Sequence, residues 1–287
     1  MKRVLLLGAT GNLGSLIGKA LVARGARAAG RPVICAALSG SAWPQLQSEC
    51  DRFKWVGVLR LGQWMRLLAH HGCREAVMVG RVRKAQMYRR WRYFHYLPDW
   101  RTIQLYFTVL RRDKRDHAVL EAVAGELARE GITLIDSTRY CEEHLSTPGV
   151  MTRREPTPAQ WEDIRFGWEL CRTIGRLDIG QALAVIDKDV IAVEAMEGTD
   201  AMIERAGRYC RSGKWTLIKV ANAKQDMRMD VPTVGNTTIE KLAAAGAGCL
   251  VLEVGKTIIL EKPKVMELAD RLGIAVVGWQ NEGTGRV

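Results

Sequence analysis

The sequence predicts an α/β protein: a Rossmann-like N-terminal domain, a second α/β domain, and a cleft between them. Three observations carry this. Short apolar runs alternate with stretches of helical periodicity along all 287 residues. A glycine-punctuated turn, Gly8-Ala-Thr-Gly11-Asn-Leu-Gly14, separates the first apolar run from the first helical stretch. The charge balance also changes midway: residues 1–135 carry 23 Lys/Arg against 9 Asp/Glu, and residues 136–287 carry 20 against 22. The length and a 47% hydrophobic content supply cores for two domains, placed at 1–135 and 136–287.

In order along the chain, Val4 to Leu7 reads as a short buried strand, and Leu16, Ile17, Ala20 and Leu21 follow at helical spacing. Pro32 to Leu38 is a second apolar run, Gln63 to His71 a helix, and Ala76 to Val79 a strand ending at Gly80. His117 to Glu130 is a helix stopped by Gly131, and Ile132 to Ile135 the next strand. Prolines between Ser146 and Pro158 predict a loop near the domain junction. Beyond it, Trp161 to Ile174 is helical and Val185 to Val193 reads as one strand. Two further helices run from Thr199 or Asp200 to Tyr209 and from Asn236 or Thr237 to Ala245; Thr237 and Glu240 have capping-box spacing.

Composition bounds the function. No stretch approaches the roughly 18 apolar residues of a membrane span, and Met1-Lys-Arg-Val4 leads straight into a strand, so the expected compartment is the cytoplasm. Seven scattered cysteines read as reduced packing residues. The five histidines lack metal-site spacing, which leaves zinc chemistry unsupported. Residues 81–115 hold eleven basic residues against Asp99 and Asp113, interleaved with aromatics such as Tyr88, Trp91, Trp100 and Phe107. Three readings stay open for that stretch: an anionic membrane surface, a single-stranded nucleic acid, or a solvated face whose rings pack inward. No nucleic-acid module signature occurs in it, and nucleic acid is not an expected partner.

Three polar segments carry the candidate chemistry. Gly8, Gly11 and Gly14 form a phosphate-binding turn between strand and helix, resembling the short-chain reductase version of the dinucleotide fingerprint. The second strand ends Ala37-Leu-Ser-Gly40 without an acidic residue for a ribose, and no Tyr-x-x-x-Lys pair occurs, so an NAD(P)-binding reductase stands as the alternative reading. Glu194, Glu197, Gly198, Thr199 and Asp200 make a second strand-to-helix turn. Its amides could receive a phosphate while Thr199 or Asp200 caps the helix, and three carboxylates there repel unless cations neutralise them. In an extended segment, Asp226, Arg228 and Asp230 alternate with Met227, Met229 and Val231, which puts two carboxylates and a guanidinium on one face. Lys219 precedes them, Gln225 adjoins them, and the turn Pro232-Thr233-Val-Gly235 follows. Paired carboxylates suit Mg²⁺ beside a phosphate, or, as the bland reading, a solvated salt-bridge ladder.

At these residues the chain resembles the LpxI family of UDP-2,3-diacylglucosamine pyrophosphatases. The resemblance rests on Leu177-Asp-Ile-Gly-Gln181, Glu197-Gly-Thr-Asp-Ala201 with Arg205-Ala-Gly207, Gln225 through Gly235, and Val254-Gly-Lys-Thr257. In the front half it is looser, at Leu61-Gly-Gln63, Val79-Gly80-Arg-Val82, Leu97-Pro-Asp99 and Asp116-His-Ala-Val-Leu120. Two departures stand out. The family's Gly-x-Gly-x-Leu-Pro turn is Gly8-Ala-Thr-Gly11-Asn-Leu-Gly14 here, and its Lys-Pro before Gln-Asp is Asn222-Ala223 with Lys224 displaced.

The resemblance implies hydrolysis of UDP-2,3-diacylglucosamine to UMP and 2,3-diacylglucosamine 1-phosphate, assisted by Mg²⁺ or Mn²⁺. The family's essential aspartate maps onto Asp226. On that reading Asp226 and Asp230 hold the metal or orient water, and Arg228 and Lys219 stabilise charge on phosphorus. Thr199 and Asp200 position the diphosphate, and Gly80, Glu197, Gly198, Gln225 and Thr233 complete the substrate site with the N-terminal glycines. The expected partners are the lipid substrate and the inner-leaflet surface, to which the protein would be peripheral. A homodimer is left open, as is a non-catalytic binder of nucleotide sugars or anionic lipid.

Overall fold

A computed structural model describes residues 3–8, 13–39, 42, 44–79, 97–111, 116–221, 227–228 and 231–280. The chain divides into two compact units, Met1–Cys141 with Met227–Asp230, and Glu142–Asp226 with Val231–Val287.

The first unit is built on five parallel strands: β1 (Arg3–Gly8), β2 (Val33–Leu38), β3 (Arg52–Val56), β4 (Cys73–Val79) and β5 (Thr133–Leu134), in the order β3-β2-β1-β4-β5. Its helices are α1 (Leu13–Ala28), α2 (Leu61–His70), α3 (Trp100–Leu105) and α4 (Asp116–Arg129), and α3 continues into a π-helical turn over Tyr106–Leu110. Every residue of β2 is buried, as an inner strand of a parallel sheet covered on both faces requires. Leu61, Trp64, Met65 and Leu68 of α2 pack on Ile34, Ala36 and Leu38, and Leu127 and Ile132 close the same core. The 3.6-residue spacing of those α2 positions is why this stretch is a helix. Asp99 caps α3 by accepting from Thr102 N at 3.0 Å, and its other oxygen accepts from Gln63 N at 3.1 Å.

The edge strand β3 has no counterpart among the sequence expectations. Arg52-Phe-Lys-Trp-Val alternates charges with rings and buries only Val56, so its apolar signal is weak.

The second unit holds a six-stranded mixed sheet of β6 (Gly149–Val150), β7 (Ala182–Ile186), β8 (Asp189–Val193), β9 (Thr216–Lys219), β11 (Cys249–Glu253) and β13 (Ala275–Trp279), in the order β6-β13-β11-β9-β7-β8. A separate parallel pair joins β10 (Thr233–Val234) to β12 (Ile258–Ile259). Strands β9, β11 and β13 are parallel, and β7 runs antiparallel to both β8 and β9. The ends of β8, β9, β11 and β13 therefore lie along one edge, together with the start of β7. Alternation along the strands splits the core in two. Leu217, Leu250 and Leu252 face α6 (Thr199–Tyr209), α7 (Asn236–Ala244) and α8 (Lys262–Arg271), whereas Ile218, Cys249 and Val251 face α5 (Pro158–Arg176).

Several expectations are corrected here. The single strand over Val185 to Val193 is a hairpin, turned at Asp187 and Lys188, which both take positive φ. Asp163, buried, accepts from Lys188 N at 2.7 Å and fixes that turn. The expected loop over 146–158 contributes β6, which pairs with β13. Neither Thr199 nor Asp200 caps α6, and Thr237 does not cap α7: the N-caps are Gly198 and Gly235, without side-chain bonds. The capping box is instead at α5, where Thr157 and Gln160 exchange bonds. Met227 and Arg228 form a turn rather than part of an extended strand, so simple alternation does not place Arg228 on a common face with its neighbours.

Candidate active site

In the second unit the strand ends gather three polar segments that are distant in sequence. Lys219 closes β9 and pairs in register with Ala182 on one side and Leu252 on the other. Glu194 directly follows β8 and donates its amide to Ala182 O at 2.9 Å. Val220 N donates to Gln181 O at 3.0 Å, and Ala221 N donates to Glu253 Oε2 at 2.8 Å. Gly180 is pressed against this junction: a Cβ there would stand 1.9 Å from Glu194 O. The Leu-Asp-Ile-Gly-Gln segment thus needs glycine at that position for close backbone approach. The carboxyl edge of an open α/β sheet is where ligands of such folds bind.

A buried polar chain crosses this edge. Lys219 Nζ donates to Thr199 Oγ1 at 2.7 Å, and Thr199 Oγ1 donates to Glu194 Oε1 at 2.9 Å. Lys219 and Glu194 are each only 6% exposed. A hydroxyl has one proton and can accept as well, so Thr199 can link ammonium to carboxylate. Glu194 Oε2 is buried without a hydrogen-bond partner among the described residues. Gly198 at φ +85° lets the chain turn from β8 into α6 and leaves the first turn of α6, with its positive dipole end, beside Glu194.

The other two carboxylates of this turn are neutralised by basic side chains. Glu197 pairs with Arg205 at 2.6 Å, and the same guanidinium nitrogen donates to Val193 O at 2.6 Å. Asp200 pairs with Lys241 at 2.8 Å, a bond that holds the Lys241 pKa above its ordinary value. The repulsion expected among three carboxylates is relieved in this way. Among the described residues no group of three His, Cys, Asp or Glu could hold a metal ion.

The remaining candidates are dispersed. Gly8 ends β1 and Gly14 lies in the first turn of α1. Arg228 is exposed and belongs to the first unit, where its carbonyl and Met78 O both lie within reach of Ser137 Oγ, at 2.9 and 2.7 Å. Ser137 N donates to Met227 O at 3.1 Å. Thr233 is exposed in β10 and donates to Val231 O at 3.2 Å. Gly11, Gly80, Gln225, Asp226 and Asp230 lie outside the described residues.

Two family models match consecutive stretches of the chain: the LpxI N-terminal domain over residues 18–144 and the LpxI C-terminal domain over residues 147–277. The UDP-2,3-diacylglucosamine pyrophosphatase LpxI of Caulobacter vibrioides is 32% identical over 262 residues, covering 88% of this chain and 90% of that protein. The chain belongs to the LpxI family. A further likeness, 27% identity over 135 residues, is to the bifunctional purine biosynthesis protein PurH of an Anaeromyxobacter species, and it spans 45% of this chain and 22% of that protein. The N-terminal LpxI match begins at residue 18, past Gly8, Gly11 and Gly14, where this sequence departs from the family's turn.

Glu194 was one of three candidate carboxylates in its turn, and the structure separates it, buried and bonded to Thr199, from the exposed Glu197 and Asp200. One site residue was outside the candidates drawn from the sequence. Glu253 accepts from Ala221 N, and its signal was a carboxylate ending the apolar run Cys249–Leu252 at the same edge.

Proposed function

We propose that this member of the LpxI family hydrolyses UDP-2,3-diacylglucosamine to UMP and 2,3-diacylglucosamine 1-phosphate in lipid A biosynthesis. The observation that carries the reading is the extent of the likeness: both family domains in order, and a pyrophosphatase relative matched over 90% of its length. The first unit supports it through its parallel strand order β3-β2-β1-β4-β5, with α1 the next element after β1, a Rossmann-like arrangement suited to a nucleotide. The reductase alternative rested on residues 3–25 alone, and nothing in the family membership favours it.

The proposal includes Mg²⁺ or Mn²⁺. The orphaned, buried Oε2 of Glu194 is a hard oxygen of the kind such a cation accepts, so the carboxyl edge of the second unit fits a divalent ion. Asp226 and Asp230 are the residues that the family resemblance assigns to it. When bound, the ion supplies charge neutralisation on the diphosphate and lowers the pKa of water. The chain's own residues do the rest. Lys219, fixed by Thr199, presents positive charge where it develops on phosphate oxygens, and the first turn of α6 offers amides to the same anion. The family resemblance assigns a further cation to Arg228 and the orienting of the attacking water to Asp226.

The membrane reading of the basic aromatic stretch finds support in α3 and the turn after it, where Trp100 and Phe107 are 77% and 61% exposed. Rings at headgroup level beside arginines would hold the protein on an anionic leaflet, where a two-chain lipid can enter. Among the described residues no helix is long and apolar enough to cross a membrane.

The test is incubation of purified protein with UDP-2,3-diacylglucosamine and Mg²⁺ or Mn²⁺ in ¹⁸O water, read by phosphorus NMR. UMP and the sugar 1-phosphate are the expected products, with the label naming the attacked phosphorus. Intact substrate with either metal rejects the reading.

A further inference from the structure

We propose that the first unit carries a second anion site, a pocket for a soluble organic phosphate between β3 and α2. A cavity of about 540 Å³ opens there, within the range of small-ligand pockets. Five basic residues line it: Arg52 and Lys54 from β3, Arg66 and His70 from α2, and His71 just after it. No carboxylate lines it.

Several other arginines of the unit, Arg24, Arg31, Arg101 and Arg129, each pair with a glutamate. Among the described residues no acidic side chain pairs with Arg52, Lys54 or Arg66, so their charge is directed into the cavity and solvent. Converging cations without counter-charge raise the local concentration of anions, and arginine favours phosphate oxygens. Ile34 and Leu67 give the pocket apolar wall. That combination fits a phosphate monoester bearing a ring or short apolar group. Concavity and this volume favour a soluble ligand over the flat surface of a bilayer.

The pocket is also separate from the strand ends that the nucleotide reading uses. Ile34 and Arg52 stand at the starts of β2 and β3, and His70 and His71 at the end of α2, so the cavity reaches the amino edge of a sheet whose carboxyl edge carries Gly8. The inference does not depend on the hydrolase activity, and its ligand would be a regulator or second substrate rather than the diphosphate itself.

Phenyl phosphate is the probe. Full-length protein with ¹⁵N-labelled histidine is titrated, and the ring signals of His70 and His71, assigned through His70→Gln and His71→Gln, are followed. Saturable movement of both signals is expected, with affinity weakened by about ten-fold or more in Arg52→Glu/Arg66→Glu, the loss of charge-assisted bonds. Should that variant not keep the parent thermal midpoint, Arg66→Gln takes its place, with weaker binding again expected. Signals that stay still at millimolar phenyl phosphate, or that move equally in the variants, overturn the site. Movement with phosphatidylglycerol vesicles but not with phenyl phosphate also overturns it, in favour of a membrane contact.

Discussion

Lys219 Nζ reaches Thr199 Oγ1 at 2.7 Å, and this contact ties the end of β9 to the first turn of α6. Through Thr199 the buried ammonium is linked to the buried carboxylate of Glu194. Both groups lost hydration on folding, and the hydroxyl between them bonds to each.

Replacing that hydroxyl with a methyl group keeps the volume and removes the link. Thr199→Val is expected to lower unfolding free energy by about 1–3 kcal/mol, the scale of losing the two hydrogen bonds of that hydroxyl to charged groups. Urea denaturation measures it, and Thr199→Ser restores most of the loss. A stability equal to the parent's would show that Lys219 and Glu194 do not rely on Thr199.

Gly180 gives a steric prediction. The Cβ of Gly180→Ala would lie 1.9 Å from Glu194 O, a backbone atom that cannot rotate away. The entry of β7 must shift, at about 1–3 kcal/mol, the usual cost of overpacking. Turnover is expected to fall further than stability, because Glu194 and the start of α6 move with the shift. A variant with parent thermal midpoint and parent turnover would contradict this packing.

Burial pushes the thiols of Cys171 and Cys249 up to about 12 from 9.0. As pH rises past the unfolded value, the unfolded chain releases these protons and the folded chain keeps them, so stability falls with pH. The loss is expected between about pH 9 and about pH 12, the window between the unfolded and folded values of these two thiols. Urea midpoints recorded across that window check it, and Cys171→Ala/Cys249→Ala should flatten the slope. Cys50, whose pKa is lowered by its hydrogen bond with Cys35, is expected to be alkylated by iodoacetamide before either buried thiol. Mass spectrometry of partially alkylated protein reads the order.

The exposed rings after Asp99 make a membrane prediction. Trp100→Ala/Phe107→Ala should lose co-sedimentation with phosphatidylglycerol vesicles, by about ten-fold or more in partition coefficient, given the apolar area of two rings. Unchanged partitioning would assign the membrane contact elsewhere.

How much of this was legible in the sequence depended on periodicity. Strong helical spacing located α2, α4, α5, α6 and α7 to within a few residues, and the short apolar runs located β1, β2 and β4. The hairpin at Asp187-Lys188 was hidden because both its strands are apolar and its turn residues are ordinary for a surface. Strand β3 was hidden because an edge strand with Arg52 and Lys54 exposed lacks a clean apolar face. At the site, Leu177–Gln181 and Glu194–Asp200 were readable as polar interruptions of strands. Their meeting beside Lys219 at one sheet edge was not, since it follows from β7 running against its neighbours. Nor could composition tell which carboxylate of Glu194, Glu197 and Asp200 is buried. Glycine supplied the N-caps of α6 and α7 where hydroxyl and carboxylate residues one or two places later drew the assignment.

The central claim is that acidic side chains of the Gln225–Gly235 block make this chain a diphosphate hydrolase. It is tested most directly by UMP release from UDP-2,3-diacylglucosamine, with wild type and Asp226→Asn assayed side by side in Mg²⁺ or Mn²⁺. The account predicts turnover by wild type and a loss of about 100-fold or more in kcat for Asp226→Asn at parent thermal stability, the scale on which removing one transition-state contact acts. A folded Asp226→Asn variant releasing UMP at the wild-type rate would contradict it.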